Sequence, residues 1–327
     1  MKVLVVGGAG YIGSQMALML GEAGHEVVVL DDLSSGHREA VLAGEFVQGS
    51  IADTSLLDRI FEARRFDGVM HFASFIEVGE SVRAPAKYYD NNLSNTLVLL
   101  HAMMRHDVKR FIFSSTAAIF GEPRYVPIDE LHLREPINPY GRTKWMVEQV
   151  LQDYDKAYGL KSVCLRYFNA AGADPKSRIG EMHEPESHLI PLVLQAAAGA
   201  RPHIAVFGTD YDTPDGTCIR DYIHVVDLCA AHLLALDRLM QGSDSDAFNL
   251  GNGAGFSIRE VIETAKRVTG LPIAAVDSPR RAGDPAQLVA NPNKAIAKLG
   301  WHPRHHSLEV IVRDAWNFYR AHRHRTH

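Results

Sequence analysis

Met1-Lys2-Val3-Leu4-Val5-Val6 runs directly into Gly7-Gly8-Ala9-Gly10-Tyr11-Ile12-Gly13. The first run is apolar and β-branched with no polar alternation, as a strand covered on both faces requires. Gly7, Gly10 and Gly13 then stand between that strand and a helix read over Tyr11–Glu22, which stops near Gly24. Glycines here permit a tight turn and let backbone N–H groups approach a pyrophosphate, and a helix N-terminus adds favourable positive potential. A second apolar run, HEVVVL, ends at Asp31 and Asp32. An acidic residue about 20 residues beyond a glycine-rich turn can accept hydrogen bonds from both ribose hydroxyls of a dinucleotide. A carboxylate there repels a 2′-phosphate, so Asp31 favours NAD over NADP.

Working outward, further strands are expected in EFVQG (45–49), GVMHFA (68–73), RFIFSS (110–115) and SVCLRYF (162–168), with helices between them at 55–65 and 95–106. This alternation predicts an α/β fold, a Rossmann-type doubly wound parallel sheet with right-handed crossovers and helices on both faces. The boundary of this NAD-binding domain (1–170) is placed near residue 170. Residues 171–327 are expected to form mainly a smaller C-terminal substrate-binding domain, with strands near 222–225 and 247–250 returning to the first. Residues 173–187 and 209–217 read as loops, and 188–199 as a helix. Ser257 and Glu260 have the spacing of a capping box. The tail, AHRHRTH, reads as a solvated terminus rather than a metal site.

The 327 residues are 46% apolar and 22% charged, with a formal net charge of -5. No basic excess exists to neutralise phosphates, so a nucleic-acid partner is not expected. No apolar run is long enough to span a bilayer, and with the chain opening on an apolar strand no signal or transit peptide is expected. The three cysteines, Cys164, Cys218 and Cys229, make neither a disulfide framework nor a metal-ligand spacing. The expectation is a cytoplasmic protein without a metal site.

Tyr140 and Lys144 stand four apart in PYGRTK, on one face of a helix. An ammonium beside a phenol lowers the tyrosine pKa from about 10, which makes a general base usable near neutral pH. Ser114, Ser115 and Thr116 close the preceding strand, at the end where ligands bind in open α/β sheets. Thr116 can hydrogen-bond a substrate hydroxyl and Tyr140.

The G-x-x-G-x-x-G spacing resembles the extended short-chain dehydrogenase/reductases. GGAGYIG, HFA, VGES, YYDNN, FIFSS, PYG-x-x-K, LRYFNAAGA, RDYIHVVDL, NLGNG and RRAGDPA follow in that order over nearly the whole chain. The set resembles the UDP-glucose 4-epimerase family, and RYFN-x-x-G with DGT-x-x-RDYIHV is its most specific part. The resemblance implies bound NAD as hydride carrier, Tyr140 as base, Lys144 beside it and Thr116 at the family's Ser/Thr position. It implies that Tyr11, Ile12, Asp32, Ile51, Phe72, Ala73, Asn91, Ser114 and Phe168 join the glycines and Asp31 around the cofactor. Asn169, Arg220 and Arg281 would hold the UDP moiety, and Asp284 its ribose. His188 and Leu189 stand where the family often has Asn-Leu, and Leu288 would wall the sugar pocket. Two further departures are Ile76, where some members carry a lysine, and Ser50, where an acidic residue can bond adenine. A homodimer is implied as well. Ala117 and Ala118 after Thr116 cannot transfer protons, which argues against a 4,6-dehydratase. Epimerases of other UDP-sugars, and a non-catalytic NAD-sensing regulator, are the competing readings; the second has no use for Tyr140, Lys144 and Thr116 together.

Overall fold

The computed structural model describes residues 1–281 and 284–322; the basic tail beyond His322 lies outside them. The chain begins β1 (Lys2–Val6), α1 (Tyr11–Glu22), β2 (Glu26–Asp31), β3 (Glu45–Gln48), α2 (Thr54–Ala63) and β4 (Gly68–His71). Two short helices, α3 (Val78–Arg83) and α4 (Pro85–Tyr88), and a π-helical turn (Tyr89–Ser94) lead into α5 (Asn95–Arg105). Then come β5 (Arg110–Thr116), α6 (Pro139–Tyr158) and β6 (Lys161–Tyr167).

These six strands and a later one, Asp246–Leu250, form a seven-stranded sheet in which every pairing is parallel. The chain steps outward from β1 through β2 to β3, then returns to the other side of β1 with β4. That reversal opens a crevice beyond the carboxyl ends of β1 and β4, where open α/β sheets bind ligands. The unalternating sequence of β1 is explained by the two cores: Val3 and Val5 pack into one, Leu4 and Val6 into the other. Burying both faces of the strand requires apolar side chains at every position.

The rest of the chain runs β7 (Asn169–Ala171), α7 (Leu189–Ala197), β8 (Ile204–Phe207), β9 (Ile219–Arg220), β10 (Tyr222–His224), α8 (Val225–Met240), β11 (Asp246–Leu250) and β12 (Phe256–Ser257). It ends with α9 (Ile258–Thr269), β13 (Ala275–Ser278), β14 (Gln287–Leu288), α10 (Asn293–Leu299) and α11 (Leu308–His322). A separate core joins α7, α9 and α11 through Ile190, Val193, Val261, Ile262, Ile311 and Trp316. Ser257 caps α9, and its capping box with Glu260 is formed. The segment after residue 171 thus has its own core, yet it returns to the sheet twice. α8 packs against α1, β5 and β6, and β11 pairs with β6. The strand expected near 222–225 does not join the sheet. It pairs with β7 in a separate parallel ladder, because the chain leaves the sheet after Tyr167 and the Asn169 amide bonds Asp221 O instead.

Candidate active site

The glycine turn is shaped by how closely chain segments approach. Gly7 has φ +76°, and a Cβ there would lie 2.5 Å from the Ala73 nitrogen, on the loop after β4. A Cβ on Gly13 would land on the carbonyl oxygen of Gly7. Gly10 differs: its nearest neighbour would be Gly7 O at 3.5 Å, and it faces a cleft. No side chain caps α1 at Gly10, so its first N–H groups are left for an anion in that cleft. Asp31 closes the adjacent side. Its carboxylate accepts from Ala9 N at 2.9 Å and Leu33 N at 2.8 Å, which ties the end of β2 to the turn. Burial pushes its pKa up, opposed by those two amides. These features fit a dinucleotide whose pyrophosphate lies on the turn.

The cleft has a volume of about 390 Å³ and reaches from Asp31 and Asp32 past Gly7, Tyr11, Ile12, Ile51, Phe72, Ala73 and Asn91 to Ser114, Thr116, Tyr140, Lys144 and Phe168. Ser50 and Ile76 also line it. A second cavity of about 320 Å³ is lined by Leu189, Arg281 and Asp284. Asn169, His188 and Arg220 line both cavities, and Leu288 the first. The structure therefore brings every residue assigned to the cofactor or the substrate to one of two adjoining cavities, whereas Ser115 of the hydroxyl cluster lines neither and donates to Glu148 instead.

α6 is set by strong local signals. Asn138 caps it through Gly141 N at 2.8 Å, Pro139 occupies its first turn, and Gly159 at φ 68° ends it. This places Tyr140 and Lys144 one turn apart at the end of β5. Thr116 and Tyr140 line the same cleft; burial pushes the phenol pKa up, and the neighbouring threonine hydroxyl pulls it down. Thr116 Oγ1 also accepts from Ala118 N at 3.1 Å, which fixes its rotamer.

Lys144 does not act on Tyr140 as the sequence suggested. Its ammonium donates to Ser74 Oγ and Ser114 O, both at 2.7 Å, and burial pushes its pKa down to about 7. A lysine so placed is a weaker positive neighbour, and burial governs the phenol. Glu148, one turn further along α6, pulls the lysine pKa back up. That carboxylate is itself locked: Arg166 on β6 grips it through Nε at 3.0 and 3.2 Å and Nη2 at 2.6 Å, and Ser115 Oγ donates to it at 2.6 Å. Ser74, Glu148 and Arg166 were not singled out in the sequence. A glutamate at the next helical turn after Lys144 and an arginine inside an apolar strand were the signals for the pair.

In the second cavity, Arg220 Nη1 donates to Ile219 O and Pro285 O, each at 2.9 Å, and Nη2 lies 3.6 Å from Asp284. Arg281 stacks on Phe207 at 4.0 Å, which leaves its edge donors free of that contact. The Asn169 side chain donates to Asp221 O at 2.9 Å.

A parallel sheet with a glycine turn at its switch point and a Tyr–Thr pair beside a buried lysine defines a dinucleotide-dependent enzyme that moves a proton and a hydride at a carbinol. The family described as "NAD dependent epimerase/dehydratase family" matches residues 3–251. The chain belongs to that family. It is 55% identical over 324 residues to the UDP-glucose 4-epimerase of Halalkalibacterium halodurans, covering 99% of this chain and 97% of that one. The crystal structure of UDP-glucose 4-epimerase from Brucella ovis in complex with NAD superposes with a TM-score of 0.95 at 49% identity, covering 97% of this chain and 98% of that one. The Bifidobacterium longum enzyme in complex with NAD+ and UDP gives 0.92 at 37% identity, with 98% of each chain covered.

Proposed function

We propose that the protein interconverts UDP-galactose and UDP-glucose by reversible epimerisation at C4 through a transient 4-keto sugar, with NAD as its resident cofactor. The observation that carries this reading is that Thr116 and Tyr140 line the glycine-turn cleft together with Lys144, and that Ala117 and Ala118 follow Thr116. The pair can accept the proton of one hydroxyl and give it back, and the two alanines offer nothing for a dehydration. NAD, when bound, would supply the acceptor and donor of one hydride at C4. Tyr140 takes the 4-hydroxyl proton, relayed or oriented by Thr116, and later restores it. Lys144 holds the nicotinamide ribose. Gly7, Gly10 and Gly13 receive the pyrophosphate, and Asp31 the adenosine ribose. Arg220 and Arg281 hold the UDP diphosphate in the second cavity, as planar guanidinium donors suit phosphate oxygens, while Asn169, His188 and Leu189 line its entrance and Asp284 bonds the uridine ribose. Residues 1–170 with the returning α8 and β11 act as the cofactor domain, and the remainder as the substrate domain.

The working form is a homodimer, on the general frequency of two-fold assemblies. A cytoplasmic role in galactose metabolism follows, and three free, buried cysteines suit a reducing compartment. No helix among the described residues is long and apolar enough to cross a membrane. The test is to incubate purified protein with UDP-galactose and no added NAD, following products by NMR. UDP-glucose should accumulate to equilibrium. Unchanged UDP-galactose, with NAD shown to be bound, overturns the reading.

A further inference from the structure

Between the two cavities runs the loop of residues 181–188, with glutamate and histidine at alternating sites: Glu181, His183, Glu186 and His188. We propose that these four side chains bind a divalent transition-metal ion of the zinc type. Each offers one ligand atom, and all four atoms lie within 4.8 Å of one another. His188 Nδ1 stands 2.8 Å from Glu181 Oε1 and 3.0 Å from Glu186 Oε1, and His183 Nδ1 is 3.2 Å from Glu181 Oε1. Two imidazole nitrogens and two carboxylate oxygens form a complete donor set for four-coordinate zinc.

Charge and direction both favour an ion at the centre. The Glu181 and Glu186 side chains are only 7% and 6% exposed. Among the described residues no lysine or arginine pairs with either. Two carboxylates withdrawn from water need compensating positive charge, which one divalent ion supplies in place of two protonated histidines. One Nδ1–H between two carboxylate oxygens points well at only one of them, whereas a central divalent cation neutralises both and gives each histidine a bond. Glu186 Oε1 is held in place by the amides of Ser187 and His188, both at 2.8 Å, the kind of support that orients a ligand.

The ion would act as a clip. Met182 packs with Leu18 of α1 and Ile179, and its carbonyl lies 2.8 Å from His37 Nε2 on the loop after β2. Glu181 and His188 line both cavities. Fixing the four side chains to one ion would hold the loop as a shared wall of the cofactor cleft and the second cavity.

The test uses the full-length, NAD-bound protein, stripped with a chelator and dialysed against zinc chloride or cobalt chloride. The tail also carries His322, His324 and His327, so wild type is compared with His183→Ala and Glu186→Gln. Wild type should retain a zinc ion per chain that the variants lose or hold at least about tenfold more weakly, no less than the cost of losing an outer-shell support. Its cobalt form should show the visible absorption of a four-coordinate ion, absent from His183→Ala. Circular dichroism and NAD content show whether the variants fold. Equal zinc affinity in all three proteins, or a wild-type cobalt spectrum without such bands, overturns the proposal and leaves the cluster as ion pairs only. The cobalt spectrum of wild type decides even if a variant does not fold, and no outcome depends on epimerase activity.

Discussion

The cleft has a sheet wall and a loop wall, held by different physics. On the sheet wall, Ser114, Ser115 and Thr116 extend a ladder paired to β6 at every residue, and Lys144 and Glu148 are almost wholly buried beneath them. On the loop wall, few residues are paired in strands, and buried polar groups do the holding. Asp221 accepts from Asn252 N at 2.7 Å, Gly253 N at 3.0 Å and Ala290 N at 3.1 Å, joining three separate segments through one carboxylate. Arg220 ties two carbonyls in the same way. Proton and hydride transfer tolerate little misplacement, which suits the rigid wall, whereas the residues proposed to recognise the nucleotide and sugar sit on loops a rigid scaffold positions. Changes on the sheet wall should therefore alter kcat or stability, and changes on the loop wall mainly KM.

The largest effect is expected for Tyr140→Phe. It keeps the ring but removes the proton acceptor, and turnover should fall by about 10²–10⁴ with NAD still bound. Steady-state rates and released nucleotide measure both, and a near-normal rate breaks the assignment. Glu148→Gln should come next, lowering unfolding free energy by about 3–5 kcal/mol, because Arg166 is left buried without its counter-charge. Urea unfolding measures this; a loss under about 1 kcal/mol, the value of an exposed pair, would mean the pair does not hold α6 to the sheet.

Arg281→Ala tests the opposite wall. Losing charge-assisted bonds of about 1.5–3 kcal/mol should raise KM for the UDP-sugar roughly tenfold to a hundredfold with kcat little changed. A kcat effect with unchanged KM would invert the comparison. Arg220→Ala should do the same and also lose stability, since its guanidinium bonds the chain. The sheet wall also predicts an acid response. Burial, then the charge of Lys144, pushes His71 down to about 3 from 6.5. The unfolded state binds the extra proton first, so this contribution is intact above pH 6.5 and is lost as pH falls toward 3. Unfolding free energy measured across that window should fall more steeply in wild type than in His71→Asn. The smallest effect is expected at Leu288, on the first cavity beside Phe168 and Trp145. Leu288→Tyr should lower kcat/KM for UDP-N-acetyl sugars relative to the parent pair, by overpacking of about 1–3 kcal/mol. An unchanged ratio removes Leu288 as the gate.

What was legible in the sequence follows the same division. Apolar runs, glycine spacing and caps act over a few residues, so β1, α1, the Asp31 position and the α9 capping box could be read directly. The Tyr140–Lys144 spacing showed a shared helix face, but not that Ser74 and Ser114 would take the ammonium, because those contacts span 70 and 30 residues. Glu148 and Arg166 stand 18 residues apart on α6 and β6, and only folding sets them together. The pairing of β10 with β7 outside the sheet depended on where the chain left β6, which no local pattern marks. Residues 181–187 read as a polar loop and His188 as the start of a helix, because their alternation has meaning only once the side chains turn inward.

The central claim is that one hydride leaves C4 and returns to the same carbon inside a closed site. The direct measurement is to supply UDP-galactose carrying deuterium at C4, with no added NAD, in ordinary water, and to examine the product by NMR and mass spectrometry. The account predicts UDP-glucose that retains the deuterium at C4. UDP-glucose formed with hydrogen from water at C4 would contradict it.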